Sequence, residues 1–476
     1  MKNLFLRTGL LLFLAACGTE STEPTPTEAS VSGQIVNGKA EVIKFSFGDQ
    51  KFEAPVEEGQ FSLPIPLEAP ALMTLKYGDE YAGLYLEPGD ALQIQLDAAE
   101  FDESLTFSGQ GAEESNYLIE NYLLEEEMGA DLREGYQKTA AEFLALSDAY
   151  TTKVRDHFDH FYQQHPALNR DFVTIQLAEI KYQNLNRRLT YVPIHEYYTE
   201  ASPELAEDHY QFLEEADLNR VDLLESRQYP QFLRNVIDHQ AQTALDAATP
   251  DAAEDRAQKT SLKLQLIGQL VKEQEIIDYL AHDATLSYLQ FEGADRAQAL
   301  VTAFQQLCKN EAYRSEVEDS YAKWAKIVAG AVAPIFVAKD VEGKTVSLKD
   351  LRGRNVYIDV WATWCGPCRQ EMPYLEKLEA KYSEAGGLVF ASVSIDENTE
   401  AWEKMVTEKE MQGTQLLADE AWESELCQQY LIRGIPRFIL IDREGKIINA
   451  NAPRPSSEEI DGILAQLADP NYTSMK

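Results

Sequence analysis

The stretch Trp361-Ala362-Thr363-Trp364-Cys365-Gly366-Pro367-Cys368 constrains this chain more than any other. An apolar run, Val356-Tyr357-Ile358-Asp359-Val360, leads into it, and a helical pattern from Glu371 to Tyr382 leads out. That order predicts a strand, a turn and a helix, with a dithiol where the turn becomes the helix. The first N–H groups of a helix lack intrahelical partners, and the helix dipole favours negative charge there. A thiolate at that place is stabilised and its pKa falls. The two cysteines are near enough in sequence to close into a disulfide and reopen.

At 476 residues the chain is too long for a single core, and about three domains are expected. A 44% hydrophobic composition supports packed domains, while a net charge of −38 argues against nucleic acid or an anionic membrane as direct partner surfaces. The five cysteines, Cys17, Cys308, Cys365, Cys368 and Cys427, are too few for a disulfide-stapled scaffold, so each needs its own explanation.

Residues 1–17 read as a processing segment: Lys2 and Arg7 carry positive charge ahead of the apolar Leu10-Leu11-Leu12-Phe13-Leu14. Leu14-Ala15-Ala16-Cys17 resembles a bacterial lipobox, in which the cysteine becomes the lipidated first residue. The alternative is an ordinary cleaved signal with a chance cysteine. Either reading places the folded part outside the cytoplasm, where disulfides persist. Residues 18–30 are rich in Thr, Glu, Pro and Ser and read as a flexible tether.

Residues 31–110 read as a small antiparallel β domain of sandwich type. Ile43, Phe45 and Phe47 alternate with polar residues, as do Met73, Leu75 and Tyr77, and Leu92, Ile94 and Leu96, with turn signals such as Asn37-Gly38 and Pro88-Gly89 between runs. Residues 111–330 read as a helical domain. Phe143, Leu146, Tyr150, Val154, Phe158 and Phe161 form one stripe, and Ala297, Leu300, Val301, Phe304 and Cys308 form another, which makes Cys308 a core residue. Pro193, Pro203, Pro230 and Pro250 are expected to break helices. His157 and His160 lie three apart beside Asp156 and Asp159, but no third ligand of matched spacing follows, so a solvated face is expected and no metal. Residues 331–476 read as α/β, with a hairpin at Glu342-Gly343, buried strands at Asn355–Trp361 and Leu388–Ile395, a hairpin at Asp442-Arg443-Glu444-Gly445 and a closing helix at Ile460–Leu467.

This last region resembles the thioredoxin fold. Trp364-Cys365-Gly366-Pro367-Cys368 matches the thioredoxin active site at every position, Asp359 matches its buried aspartate, Pro373 its helix proline, and Gly434-Ile435-Pro436 the loop whose proline is cis. The segment Ser383–Cys427 and Glu371, three residues after Cys368, look more like the TlpA/ResA branch. Arg437 departs from the pattern, since thioredoxin has a threonine after the proline, and so does the joint presence of Asp359 and Glu371, because ResA-type proteins carry a polar uncharged residue at the former. The β domain and the domain order loosely resemble lipid-anchored thioredoxin-like proteins of Bacteroidetes-type bacteria.

The resemblance implies a thiol-disulfide oxidoreductase without cofactor. Cys365 is its nucleophile and Cys368 its resolving thiol. Asp359 and Glu371 are candidates for moving the proton of Cys368, against a structural aspartate paired to a lysine and an exposed helix residue. Trp364, Gly366, Pro367, Ile435 and Pro436 form the face that meets a protein substrate. Trp361 and Cys427 read as core. Half of a zinc site is excluded by the lack of a second Cys-x-x-Cys and of any histidine after His282. A peroxidase is disfavoured because Ile358 and Ala362 stand where a peroxiredoxin has proline and threonine. The expected role is a membrane-tethered reductase of protein disulfides in the cell envelope, facing the periplasm, with an upstream membrane thiol donor and apocytochrome c among its candidate substrates. An oxidase or isomerase of the same fold, and a partner-binding lipoprotein with secondary redox activity, are the alternatives.

Overall fold

A computed structural model describes residues 27–48, 50–248, 255–382 and 386–469. The signal segment with Cys17, the tether up to residue 26 and Pro250 lie outside the described residues. The chain divides into two compact units, the first ending at Ala206 and the second beginning at Glu207.

The first unit opens with strands β1 (Glu28–Val36), β2 (Val42–Phe47), β3 (Gln50–Pro55), β4 (Gln60–Pro66), β5 (Ala71–Tyr77), β6 (Glu80–Leu86) and β7 (Ala91–Asp97), a single helical turn α1 (Phe101–Ser104) and β8 (Thr106–Gln110). They form two four-stranded sheets, ordered β4-β1-β7-β8 and β3-β2-β5-β6. A period of two sends alternate side chains inward, so Ile43, Phe45, Met73, Leu75, Leu92 and Ile94 meet in one core. Two details differ from expectation. The tether ends earlier than residue 30, because Glu28 already pairs with Pro66 of β4. And the domain is not wholly antiparallel: β1 and β7 run parallel, which the long connection through the other sheet permits.

Helices α2 (Ala112–Gly135), α3 (Ala140–Gln164) and α4 (Arg170–Thr199) complete this unit. A reciprocal cap between Thr139 and Glu142 starts α3. Its apolar stripe is buried at Phe143, Tyr150, Val154, Phe158 and Phe161. Pro193 does not break a helix but lies inside α4. Burial of Leu189 and Tyr191 in the turn just before it holds the helix through a residue that disfavours it. His157 is less solvated than expected, since its ring stacks on Tyr117 at 5.7 Å.

In the second unit come α5 (Gln228–Ala248), α6 (Arg256–Leu270), α7 (Gln274–Glu292), α8 (Gln298–Leu307) and α9 (Glu311–Trp324). The helical stretch 111–330 is thus shared between the units. Pro230 is the third residue of α5 rather than a break before it. In a first turn its missing N–H costs no intrahelical bond. Cys308 is fully buried just past the end of α8, and its burial pushes the thiol up to about 11.

The rest of this unit is a seven-stranded mixed sheet ordered β10-β9-β13-β12-β11-β14-β15. Its elements are β9 (Val337–Asp340), β10 (Thr345–Ser347), β11 (Asn355–Trp361), α10 (Gly366–Tyr382), β12 (Leu388–Ser394), α11 (Thr399–Glu408), β13 (Thr414–Leu417), α12 (Glu425–Gln429), β14 (Arg437–Ile441), β15 (Ile447–Asn449) and α13 (Glu458–Ala468). The central strand β11 pairs in parallel with β12 and antiparallel with β14. Every residue of these three strands is buried, the pattern of strands covered on both faces. On one face Tyr357, Phe390 and Phe438 pack with Leu375 and Leu378 of α10 and Ile460 and Leu464 of α13.

Candidate active site

β11 delivers the chain to the turn Ala362–Cys365, and α10 begins at Gly366. The turn is fixed from below by Asp396, which follows β12. Its carboxylate accepts the Thr363 N–H at 2.9 Å and the Thr363 hydroxyl at 2.6 Å. The Ser394 hydroxyl holds the same carboxylate at 2.7 Å.

Cys365 and Cys368 are joined in a disulfide, with their Cα atoms 5.3 Å apart. Cys365 occupies the position before the helix, where a serine or aspartate would normally cap it. Its Sγ accepts the Cys368 N–H at 3.1 Å, so sulfur does the capping. This N–H is one of those the helix cannot satisfy itself, and it points at the atom that carries the negative charge once the bond is reduced. In this disulfide form both cysteines are buried, Cys365 at 5% exposure and Cys368 at 3%. The sulfur of Cys365 is turned toward the helix start by its bond to Cys368 and by that N–H.

Trp364 stands out at 57% exposure, leaning toward Trp422 with ring centroids 6.3 Å apart. Trp361 is fully buried. A side chain at Gly366 or Gly434 would meet nothing within 4 Å, so internal packing requires neither glycine. The Ile435–Pro436 bond is cis, and both residues are half-buried just ahead of β14. Arg437, the next residue, pairs with Val360 of β11.

Asp359 is 6% exposed, opposite Ser392 on one side and Phe438 on the other. Burial first, then the charges of Glu379 and Glu371, push its carboxyl up to about 8, against a smaller opposing pull from Ser392. No lysine contributes, so the paired-aspartate alternative has no support. Glu379, in the last turn of α10, is also buried, and burial followed by the charge of Glu376 raises it to about 7. Glu371 is not an exposed helix residue. Its carboxylate accepts the Ser456 N–H at 3.0 Å and the Ser456 hydroxyl at 2.9 Å, with Arg454 at 4.0 Å. Cys427 is a buried free thiol, raised by desolvation, and its N–H is held by Ser424.

The structure therefore brings Cys365 and Cys368 together and sets Asp359 and Glu371 in one electrostatic neighbourhood. Sequence reasoning missed Asp396, Glu379 and Ser456. Asp396 carries a readable signal, an acid directly after a buried strand, where α/β sheets place their sites. Glu379 carries none, since Glu376 and Glu379 look like a solvated helix face. Among the described residues, no group of three or more His, Cys, Asp or Glu is arranged to hold a metal ion.

Comparison with known proteins bears on the same region. Residues 328–467 match the Redoxin family. A thiol-disulfide oxidoreductase ResA of Bacillus cereus is 33% identical over 147 residues, which cover 31% of this chain and 83% of that protein. The chain belongs to the TlpA/ResA-like family of thioredoxin-fold thiol-disulfide oxidoreductases. The ResA of Bacillus subtilis is 29% identical over 128 residues, 27% of this chain and 69% of the relative. The thioredoxin domain of a thiol-disulfide oxidoreductase of Bacteroides vulgatus is 31% identical, covers 30% of this chain and 99% of its own, and superposes with a TM-score of 0.28. The chain is thus a protein thiol-disulfide oxidoreductase of the ResA type, and the family likeness is confined to its last third.

Proposed function

We propose that this enzyme works as a reductase of protein disulfides in the cell envelope, using Cys365 as nucleophile and Cys368 as resolving thiol. The observation that carries the reading is the sulfur of Cys365 seated on the Cys368 N–H at a helix start, with a protonatable Asp359 in the strand beneath. The Cys365 thiolate attacks one sulfur of a substrate disulfide. A mixed disulfide forms, and the first substrate thiolate leaves and takes a proton. Cys368 then gives its proton to the Asp359 carboxylate and attacks the Cys365 sulfur. The second substrate thiolate leaves, and the enzyme keeps the Cys365–Cys368 disulfide. Two electrons have passed from the dithiol to the substrate. A carboxyl near 8 lies close to an ordinary thiol at about 8.5, so the proton moves between groups of similar affinity. Glu371, held by Ser456, supports this step through its charge.

Trp364, Gly366, Pro367, Ile435 and Pro436 form the substrate face. Trp364 offers apolar surface and the glycine leaves open space before the sulfur. The Ile435 backbone pairs with an extended substrate strand, a strand-addition mode. Cys17 carries the lipid, a tether runs from residue 18 to the start of β1 at Glu28, and the dithiol domain begins near residue 331. The protein is held on a membrane facing the periplasm. A membrane thiol protein restores the dithiol, and apocytochrome c is one candidate substrate. Among the described residues no helix is long and apolar enough to cross a membrane.

The test is a trap. Full-length protein with Cys368→Ser, expressed in its own cells, is expected to retain substrates covalently on Cys365. A reduction potential near the thioredoxin value of about −270 mV supports a reductase, and one near −120 to −180 mV makes it an oxidase or isomerase.

A further inference from the structure

The residue that departs most from the thioredoxin pattern, Arg437, has a partner in the helical part of its own unit. Helix α7 ends at Glu292, and its last carbonyls have no partner within the helix. Arg437 Nη2 donates to one of them, the Gln290 carbonyl, at 3.2 Å. Asn451, just past β15, donates its side-chain amide to the next, the Phe291 carbonyl. The Arg437 guanidinium also lies 5.8 Å from the ring centre of Trp324, the last residue of α9. A cation at a helix C-terminus is electrostatically favoured. Yet Arg437 is 6% exposed, and its Nη1 is buried with no hydrogen-bond partner among the described residues. A threonine would avoid that burden, so strand packing alone does not account for an arginine here.

What the arginine secures is a groove. Gln290 and Trp324, its two contacts, line an open cleft of about 570 Å³. Leu286, Trp324 and Leu431 give it apolar surface, and Glu316, Lys323 and Arg433 give it both signs of charge. Arg433 is two peptide units before Ile435, at most about 7 Å of chain. A strand paired at Ile435 therefore reaches this cleft within a residue or two.

We infer that Arg437 is a positioning residue that holds α7 and α9 beside the Ile435–Pro436 loop, so that the groove receives the extended polypeptide flanking the cysteine of a substrate. The inference rests on the reading of the dithiol as acting on protein disulfides and adds where the rest of the substrate lies. A lining that combines apolar surface with both signs of charge suits an unfolded chain of mixed sequence. A small disulfide occupies the dithiol alone and gains nothing from the groove.

The test compares kcat/KM of the full-length enzyme on scrambled ribonuclease A and on glutathione disulfide. Arg437→Gln is expected to lower the ribonuclease-to-glutathione ratio about tenfold, through KM for the polypeptide, with partial recovery in Arg437→Lys, which keeps the charge and a donor. Leu286→Glu, in the groove lining on α7 and not part of β14, is expected to lower the same ratio. In the Cys368→Ser enzyme, a photo-crosslinker at Ser315 on the groove wall is expected to label the ribonuclease trapped on Cys365. Equal losses on both substrates, an unchanged ratio in Leu286→Glu, or an unlabelled trapped ribonuclease would each overturn the inference. Failure of the wild type to reduce either disulfide would strike the dithiol reading instead.

Discussion

Two buried aspartates, one in each unit, are almost equally hidden: Asp90 is 7% exposed and Asp359 6%. Burial raises both carboxyls. Their surroundings differ. Asp90 sits in the turn before β7, and its carboxylate accepts the Glu87 N–H at 2.8 Å, closing that turn. Asp359 sits mid-strand in a sheet buried on both faces, and the charges facing it are those of Glu379 and Glu371. Each has a donor and like charges, but in opposite order: at Asp90 the Glu87 N–H outweighs the charge of either Glu114 or Glu113, whereas at Asp359 the charges of Glu379 and Glu371 each outweigh the pull of Ser392. Burial and like charges by themselves do not mark a proton-transfer group; under the proposed function, what sets Asp359 apart is that they outweigh its donor, in the strand that leads to the dithiol.

The sharpest way to break this comparison is to exchange each aspartate for asparagine. Asp359→Asn is expected to slow turnover of a protein disulfide by roughly a hundredfold, the range of a lost acid–base group. Asp90→Asn should leave turnover unchanged and destabilise the first unit by about 1–3 kcal/mol. Steady-state kinetics and urea unfolding separate the two.

The second test uses pH. Asp359 is raised from 3.8 to about 8 on folding, so the folded protein holds a proton that the unfolded chain has already released across that window. The associated stability is fully present below the lower value and is lost as pH rises through the higher one. Glu379, raised to about 7, acts in the same direction. The free energy of unfolding should therefore fall between pH 4 and 8 by an amount on the order of a few kcal/mol. Asp359→Asn should flatten that slope and be the more stable protein at pH 8. A wild-type slope of the opposite sign would remove Asp359 from its assigned role.

A smaller effect is expected from Glu379→Gln. Removing the larger of the two opposing charges lets Asp359 ionise at lower pH, so the pH midpoint of turnover should move down while the dithiol stays intact. The smallest is Ser456→Ala, which takes the hydroxyl bond from Glu371 but leaves the backbone N–H bond in place, and should cost about 1 kcal/mol of stability, with a modest fall in rate.

Much of the second unit was legible because its signals are local. The apolar run Val356–Val360 and the Cys-Gly-Pro-Cys turn define β11 and the start of α10, and the alternations at Ile43, Met73 and Leu92 define strands of the first unit. Elements and contacts set by distant partners were not legible. β13 has four residues and is identifiable only by its pairing with β12 and β9. Pro193 reads as a helix break until the burial around it is known. Glu379 looks like surface until Asp359 lies near it. Arg437 is visible as an oddity, but its partner Gln290 is 147 residues away. Sequence shows which residues carry chemistry, while folding decides what tunes and presents them.

The most direct measurement is the pH dependence of iodoacetamide alkylation at Cys365 in the reduced full-length enzyme. A reactive thiolate with a midpoint clearly below the ordinary value of about 8.5 is predicted, protected in the oxidised protein by the bond to Cys368. A midpoint at or above that value would contradict a sulfur stabilised at the start of α10.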